Sequence, residues 1–127
     1  MTEDEIGAII VDCAVGLHRN LGTGLFEHVY EVLLAYDLAA RGLDAQRQVL
    51  LPLCYKGVRF DEGFRIDLVV EDKVVVEIKS VESLQRVHRK QVQTYLKLTG
   101  MKLGFVLNFG GEMMKDGIWR VVNGVLE

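Results

Sequence analysis

Residues 65–79 constrain this chain more than any other stretch. Arg65-Ile66-Asp67-Leu68-Val69-Val70 and Lys73-Val74-Val75-Val76-Glu77-Ile78-Lys79 are apolar segments separated by Glu71-Asp72. This is the pattern of two strands and a short polar turn. Asp67, Glu77 and Lys79 interrupt it. Charge buried in a sheet is costly unless it is paired or bound to a cation. An aspartate and a glutamate side by side, with a lysine near them, form the donor set that divalent-metal phosphodiester chemistry requires.

Whether the acids meet depends on the turn. Side chains alternate faces along a strand, so Val75, Glu77 and Lys79 share one face and Val74, Val76 and Ile78 the other, toward the core. A two-residue turn at Glu71-Asp72 pairs Asp67 with Val76 and separates the acids. A three-residue turn at Glu71-Asp72-Lys73, or one of five, sets Asp67 opposite Glu77. We expect an odd-length turn. The facing carboxylates then repel unless a cation sits between them or one takes a proton. Mg²⁺ or Mn²⁺ suits oxygen ligands and retains waters when only one or two carboxylates bind it. Lys79 could then orient water or stabilise charge on phosphate oxygens. The same spacing also fits a solvated hairpin laced with lysine–carboxylate pairs of little energetic weight.

The rest of the chain supplies the frame. A length of 127 residues, half of them hydrophobic, suits one domain spanning 1–127 with a substantial core. The N-terminus is acidic, and no apolar run approaches the ~20 residues that span a bilayer. Cys13 and Cys54 stand in apolar segments without metal-type spacing and read as reduced core residues, so a cytoplasmic protein with no membrane partner is expected. The net charge of −3 argues against non-specific coating of nucleic acid but does not exclude a local site.

Thr2 and Glu5 form a capping box for a first helix carrying Ile6, Ile9, Ile10, Cys13 and Leu17 on one face. A second helix runs from about Phe26 to Ala40, with an apolar stripe of Tyr30, Leu33, Leu34 and Leu38 and a stop at Gly42. Gln46 to Tyr55 is a strand that Pro52 demotes to an edge or a bulge. Lys56-Gly57 turns into Val58–Val70. After residues 73–79, a helix covers Ser83 to Thr99, and Lys102 to Asn108 is a buried strand parallel to 73–79. Asp116-Gly117 joins Met113–Lys115 to Ile118–Val122 in a C-terminal hairpin. The order implies a mixed β-sheet flanked by helices, in the α/β or α+β class.

The helix over 83–99 adds polar candidates. Gln91 and Tyr95 lie one turn apart, with Tyr95 aligned to Leu84, Val87 and Leu98 on the expected packed side. A buried Gln91 amide needs partners: a carboxylate, a water, a nucleotide or a backbone group. Arg86, His88, Arg89, Lys90 and Lys97 make this the densest basic segment. They could track a phosphate backbone or form a solvated face.

Asp67, Glu77-Ile78-Lys79 and Gln91-x-x-x-Tyr95 together resemble the Asp, Glu-x-Lys and Gln-x-x-x-Tyr elements of the PD-(D/E)xK nuclease superfamily. Gly24-Leu25-Phe26-Glu27-His28-Val29-Tyr30 is similar to the signature of the GxxExxY family within it. Tyr55-Lys56-Gly57 and Leu107-Asn108-Phe109-Gly110 fit as well. The resemblance implies a restriction-endonuclease-like core. It implies Mg²⁺ or Mn²⁺ held by Asp67, Glu77 and the Ile78 carbonyl, with Lys79 catalytic and Glu27 contributing from the upstream helix, Glu31 standing in reserve. Gln91, Tyr95, Arg86, Arg89 and Lys90 would face the substrate, DNA in preference to RNA. Arg65-Ile66 replaces the usual Pro-Asp lead-in. A catalytically silent nuclease-fold protein that binds nucleic acid or a protein partner is the alternative, and a homodimer is also open.

Overall fold

The computed structural model describes residues 1–126. Helix α1 (Glu3–Leu21) begins as its capping box dictates: the Glu5 amide donates to the Thr2 hydroxyl at 3.1 Å and the Thr2 amide to the Glu5 carboxylate at 2.9 Å. Helix α2 (Glu27–Ala40) follows a loop containing Gly22 and Gly24, both at positive φ. Buried Ile6, Ile10, Cys13 and Leu17 on α1 meet buried Tyr30, Leu34 and Leu38 on α2.

Five strands form one sheet in the order β1 (Ala45–Tyr55), β2 (Val58–Val70), β3 (Val74–Lys79), β4 (Leu103–Asn108) and β5 (Ile118–Val122). β3 and β4 are parallel, joined by helix α3 (Arg86–Thr99), and the other neighbours are antiparallel. Val74, Val76 and Ile78 point into the core under α1 and α2, while Val75 packs with Val92, Tyr95 and Leu96 under α3. Cover on both faces explains why β3 and β4 read as nearly unbroken apolar runs. Each fully buried aliphatic side chain there contributes roughly 1.5–3 kcal/mol.

Several sequence expectations need correction. α3 starts at Arg86 rather than Ser83, and its buried side is Val92, Tyr95 and Leu96, with Val87 63% and Leu98 47% exposed. Tyr95 borders both stripes, and Gly104 on β4 decides between them: a Cβ there would lie 2.6 Å from Val92 Cγ1. The missing side chain is the groove into which α3 settles. Residues 114–117 are a 3₁₀ turn, and β5 makes its hairpin with β4, not with Met113–Lys115. Buried Met114 and the close approach of Gly117 to the Asn108 backbone hold that turn against the end of β4. Cys13 is buried as expected, but Cys54 is exposed because the outer part of β1 leaves the core. Among the described residues no helix is long and apolar enough to cross a membrane.

β1 is an edge strand whose register with β2 shifts between Leu51 and Leu53, around Pro52. A second irregularity matters more for the site. Gln48 has φ +55°, and it lies between the pairs Arg47↔Leu68 and Val49↔Ile66, opposite Asp67. On the near side, Ala45, Leu68 and Val70 face α1 and α2; beyond it, Val49, Leu51, Phe64 and Ile66 pack with the α3 cluster. Both strands of the hairpin therefore change faces at Asp67.

Candidate active site

The loop between β2 and β3 has three residues, Glu71 to Lys73, because Val70 pairs with Val74. The odd length sets Asp67 level with Glu77, as expected from the sequence. The last paired residues are Leu68 and Val76, and beyond them carboxylates replace the ladder. The Asp67 amide donates to Glu77 Oε1 at 3.1 Å, and the Ile78 amide donates to Asp67 Oδ2 at 2.8 Å. Each acid is thus held by the other's strand. Lys79 Nζ stands 3.8 Å from Glu77 Oε2.

This geometry concentrates negative charge. Burial, and then the Asp67 charge, push Glu77 up to about 8, against the Asp67 amide and Lys79, which favour its ionised form. Burial also raises Asp67, opposed first by the Ile78 amide. Lys79 is the sole cation within ion-pair distance of either acid among the described residues, so the pair is short of positive charge.

A cavity of about 550 Å³ opens beside Asp67, bounded also by Phe26, Glu27, His28, Glu31, Gln48 and Ser80. Glu27 stands at the first position of α2, and its carboxylate accepts the Ser80 amide at 3.2 Å. Glu31, one turn on, is 3% exposed and fully engaged: Arg47 Nε reaches Oε2 at 2.9 Å and Gln48 Nε2 reaches Oε1 at 2.6 Å. Consecutive residues of a regular strand point to opposite faces. The positive φ of Gln48 lets both serve one carboxylate.

Two further residues shape the site, and residue spacing assigned them no role there. Asn108, 3% exposed at the end of β4, accepts the Val81 and Gly110 amides at 3.0 Å each and donates to the Val81 carbonyl at 3.0 Å. It clamps the segment that leaves the β3 end carrying Lys79. Tyr30 stacks on Phe109 at 4.4 Å and 8°, and its hydroxyl donates to the Gly22 carbonyl at 2.6 Å and accepts the Leu25 amide at 3.4 Å. Ser80 Oγ closes the frame by donating to the Leu25 carbonyl at 3.0 Å. The only signal for either was the pair of short motifs around Glu27 and Asn108.

The profile of the PD-(D/E)XK nuclease superfamily matches residues 4–121, from the first turn of α1 into β5 and with every site residue described above. The chain belongs to this superfamily. The crystal structure of SSO0001 has the same fold over 78% of this chain, with a TM-score of 0.54 and 21% sequence identity. The chain spans about half, 51%, of that structure's length. No match was found among curated proteins.

The Gln91-x-x-x-Tyr95 pair is turned inward. Gln91 Nε2 donates to the Tyr95 hydroxyl at 3.1 Å, and that hydroxyl donates to the Arg65 carbonyl at 3.2 Å. Tyr95 is 4% exposed and meets Phe64 edge-on at 6.0 Å. Burial, then the Glu77 charge, raise its hydroxyl above the usual range. These contacts brace β2 two residues before Asp67. Arg89 lies against Trp119, 5.2 Å from the ring, and donates to the Arg120 carbonyl at 3.3 Å, so it holds α3 to β5. Arg86 and Lys90 are exposed on the flank of α3 and do not border the Asp67 cavity.

The donor set suits a hard divalent cation. Asp67 and Glu77 offer carboxylate oxygens and Ile78 a backbone carbonyl, and one oxygen of each carboxylate is taken by an amide, Glu77 Oε1 and Asp67 Oδ2. Among the described residues no three carboxylate, histidine or cysteine side chains converge as a ligand group. Glu27 borders the same cavity without completing one. Two carboxylates with retained water is a usual arrangement for Mg²⁺.

Proposed function

We propose that the chain is a Mg²⁺- or Mn²⁺-dependent nuclease that hydrolyses phosphodiester bonds of DNA. The observation that carries this is the reciprocal Asp67–Glu77 pair, Glu77 buried and Asp67 half-buried, both raised in pKa and flanked by Lys79 beside an open cavity. Asp67, Glu77 and the Ile78 carbonyl would hold the cation, which supplies charge neutralisation at the phosphate and acidifies water. Lys79, as an ammonium, donates hydrogen bonds toward the phosphate oxygens where charge builds. Glu27 orients water from the α2 side of the cavity. Gln91 and Tyr95 position β2, and Arg86 and Lys90 offer phosphate contacts at longer range. The Gly24–Tyr30 segment supports placement in the GxxExxY group, with residues 1–127 acting as one unit.

The test is cleavage of labelled DNA with Mg²⁺ or Mn²⁺ by wild type, Asp67→Ala and Lys79→Ala. Loss of 10²-fold or more in each variant is the expected order for removing electrostatic stabilisation of the transition state. Equal cleavage by all three would refute the site. Two observations favour a second reading, a silent nuclease-fold binding protein: among the described residues no third carboxylate, histidine or cysteine joins Asp67 and Glu77 as a ligand group, and the net charge is −3. Calorimetry separates the readings, because a silent protein binds nucleic acid without binding Mn²⁺. Light scattering reports whether the active species is a homodimer.

A further inference from the structure

Phe26 stands at the lip of the Asp67 cavity and is 84% exposed, the most exposed aromatic side chain in the described chain. A single exposed phenylalanine is ordinarily unremarkable on a protein surface. Three features set this one apart. It occupies the N-cap position of α2, where Ser, Thr, Asp or Asn would hydrogen-bond the helix, and it makes no such bond. It borders the same cavity as Asp67 and immediately precedes Glu27. The loop beneath it is tied at several points: Tyr30 holds Gly22 and Leu25, Ser80 holds Leu25, and the Val29 amide donates to the Phe26 carbonyl at 3.0 Å. The ring is therefore exposed on a braced support beside the acids, with no aromatic partner of its own among the described residues.

The charge of this wall narrows what it can hold. The residues bounding the cavity include Glu27, Glu31 and Asp67, and no lysine or arginine. Away from the cation proposed at Asp67, phosphate groups find no side-chain counter-charge on this wall. A nucleobase needs none, because its π-face stacks on an aromatic ring without a counter-charge and without regard to sequence. A cavity of about 550 Å³ is of the size that takes small ligands. A base can reach it only when it is not stacked within a duplex.

We propose that Phe26 is a stacking platform for an unpaired nucleobase next to the scissile phosphate, so that the preferred substrate is single-stranded DNA or a frayed duplex end. This rests on the nuclease reading and extends it to substrate class. Arg65, two residues before Asp67, is exposed and makes no ion pair among the described residues, so it is available to the phosphate backbone.

The experiment measures kcat/KM with Mn²⁺ on three fluorescent oligonucleotides: a single strand, a blunt duplex, and a duplex with a single-stranded overhang. Wild type is compared with Phe26→Ala, Phe26→Leu and Phe26→Trp. Anisotropy binding of the same oligonucleotides is measured in a Lys79→Ala background. We expect wild type to prefer single-stranded ends. Phe26→Ala and Phe26→Leu should lower single-strand efficiency and affinity by roughly tenfold, with duplex values unchanged. Phe26→Trp should restore them, with tryptophan emission above the Trp119 background quenched on binding the single strand. Equal losses on all substrates, or none in a cleaving enzyme, overturn the stacking role and leave the nuclease reading intact. So does a change in mass by light scattering with unchanged single-strand affinity, which would assign Phe26 to a protein contact. A wild type that neither cuts nor binds any of the oligonucleotides overturns both.

Discussion

Replacing Glu77 with glutamine should make the metal-free protein more stable while abolishing the proposed cleavage. Glu77 is 3% exposed, faces Asp67, and is pushed to about 8 from an ordinary 4.5. Between these values the folded chain keeps a proton that the unfolded chain releases. A raised carboxylate therefore stabilises the fold least at high pH: stability is greatest at or below about pH 4.5 and falls as pH rises toward 8. At neutral pH the gap is about two and a half pH units, each worth about 1.4 kcal/mol, so the cost is on the order of 3 kcal/mol. The amide of Glu77→Gln is always neutral, and its carbonyl can still accept the Asp67 amide. With a urea m-value of roughly 1.5 kcal/mol/M, the midpoint at pH 7 should rise by about 2 M, while wild type and variant nearly coincide at pH 4.5. Mn²⁺ should raise the wild-type midpoint at pH 7 and leave that of the variant nearly unmoved. The assay is urea unfolding from pH 4.5 to 8 with chelator and then with Mn²⁺. Parallel pH profiles for the two proteins would refute the claim that Glu77 is held buried against a facing carboxylate at a cost to the fold.

Asn108→Ala should destabilise the fold by roughly 2–3 kcal/mol, since it strips partners from three backbone groups, and chemical denaturation will show it. Cleavage should fall further than stability, because the clamped segment follows Lys79. Tyr30→Phe keeps the ring stack on Phe109 but loses the bonds to Gly22 and Leu25, a cost of about 1 kcal/mol by thermal or urea unfolding. Arg47→Ala leaves the buried Glu31 carboxylate with Gln48 alone and should cost about 3 kcal/mol. The double variant with Glu31→Gln should recover much of that loss. Additivity of the two substitutions in urea unfolding would show that the pair is not coupled.

The legibility of this chain followed the range of the interactions involved. Thr2 and Glu5 are three residues apart, and their mutual bonds form wherever a helix starts, so the α1 boundary was readable. Pro52 cannot serve a central strand, and it lies at a register shift on the edge. The α3 face was misread because two apolar stripes compete along it, Val87 with Leu98 and Val92 with Leu96. The choice was made by Gly104, on another element. The strand expected over Met113–Lys115 failed for a similar reason, since β4 offered β5 a longer pairing surface.

At the candidate site the division is sharper. Local sequence sufficed to place Asp67 and Glu77 level with each other, because strand alternation and a three-residue loop are properties of a single hairpin. It could not show that the strands part just there, with each carboxylate taking the backbone amide that the ladder gives up. Nor could it show Gln48 in a left-handed conformation turning the hairpin over opposite Asp67, or Arg47 and Gln48 consuming Glu31 and leaving Glu27 beside the cavity. Those outcomes depend on which groups remain unpaired after three helices have covered the sheet. Alternation and loop length act between neighbours along the chain, whereas satisfying a buried amide or carboxylate is settled by whatever the whole fold brings within reach.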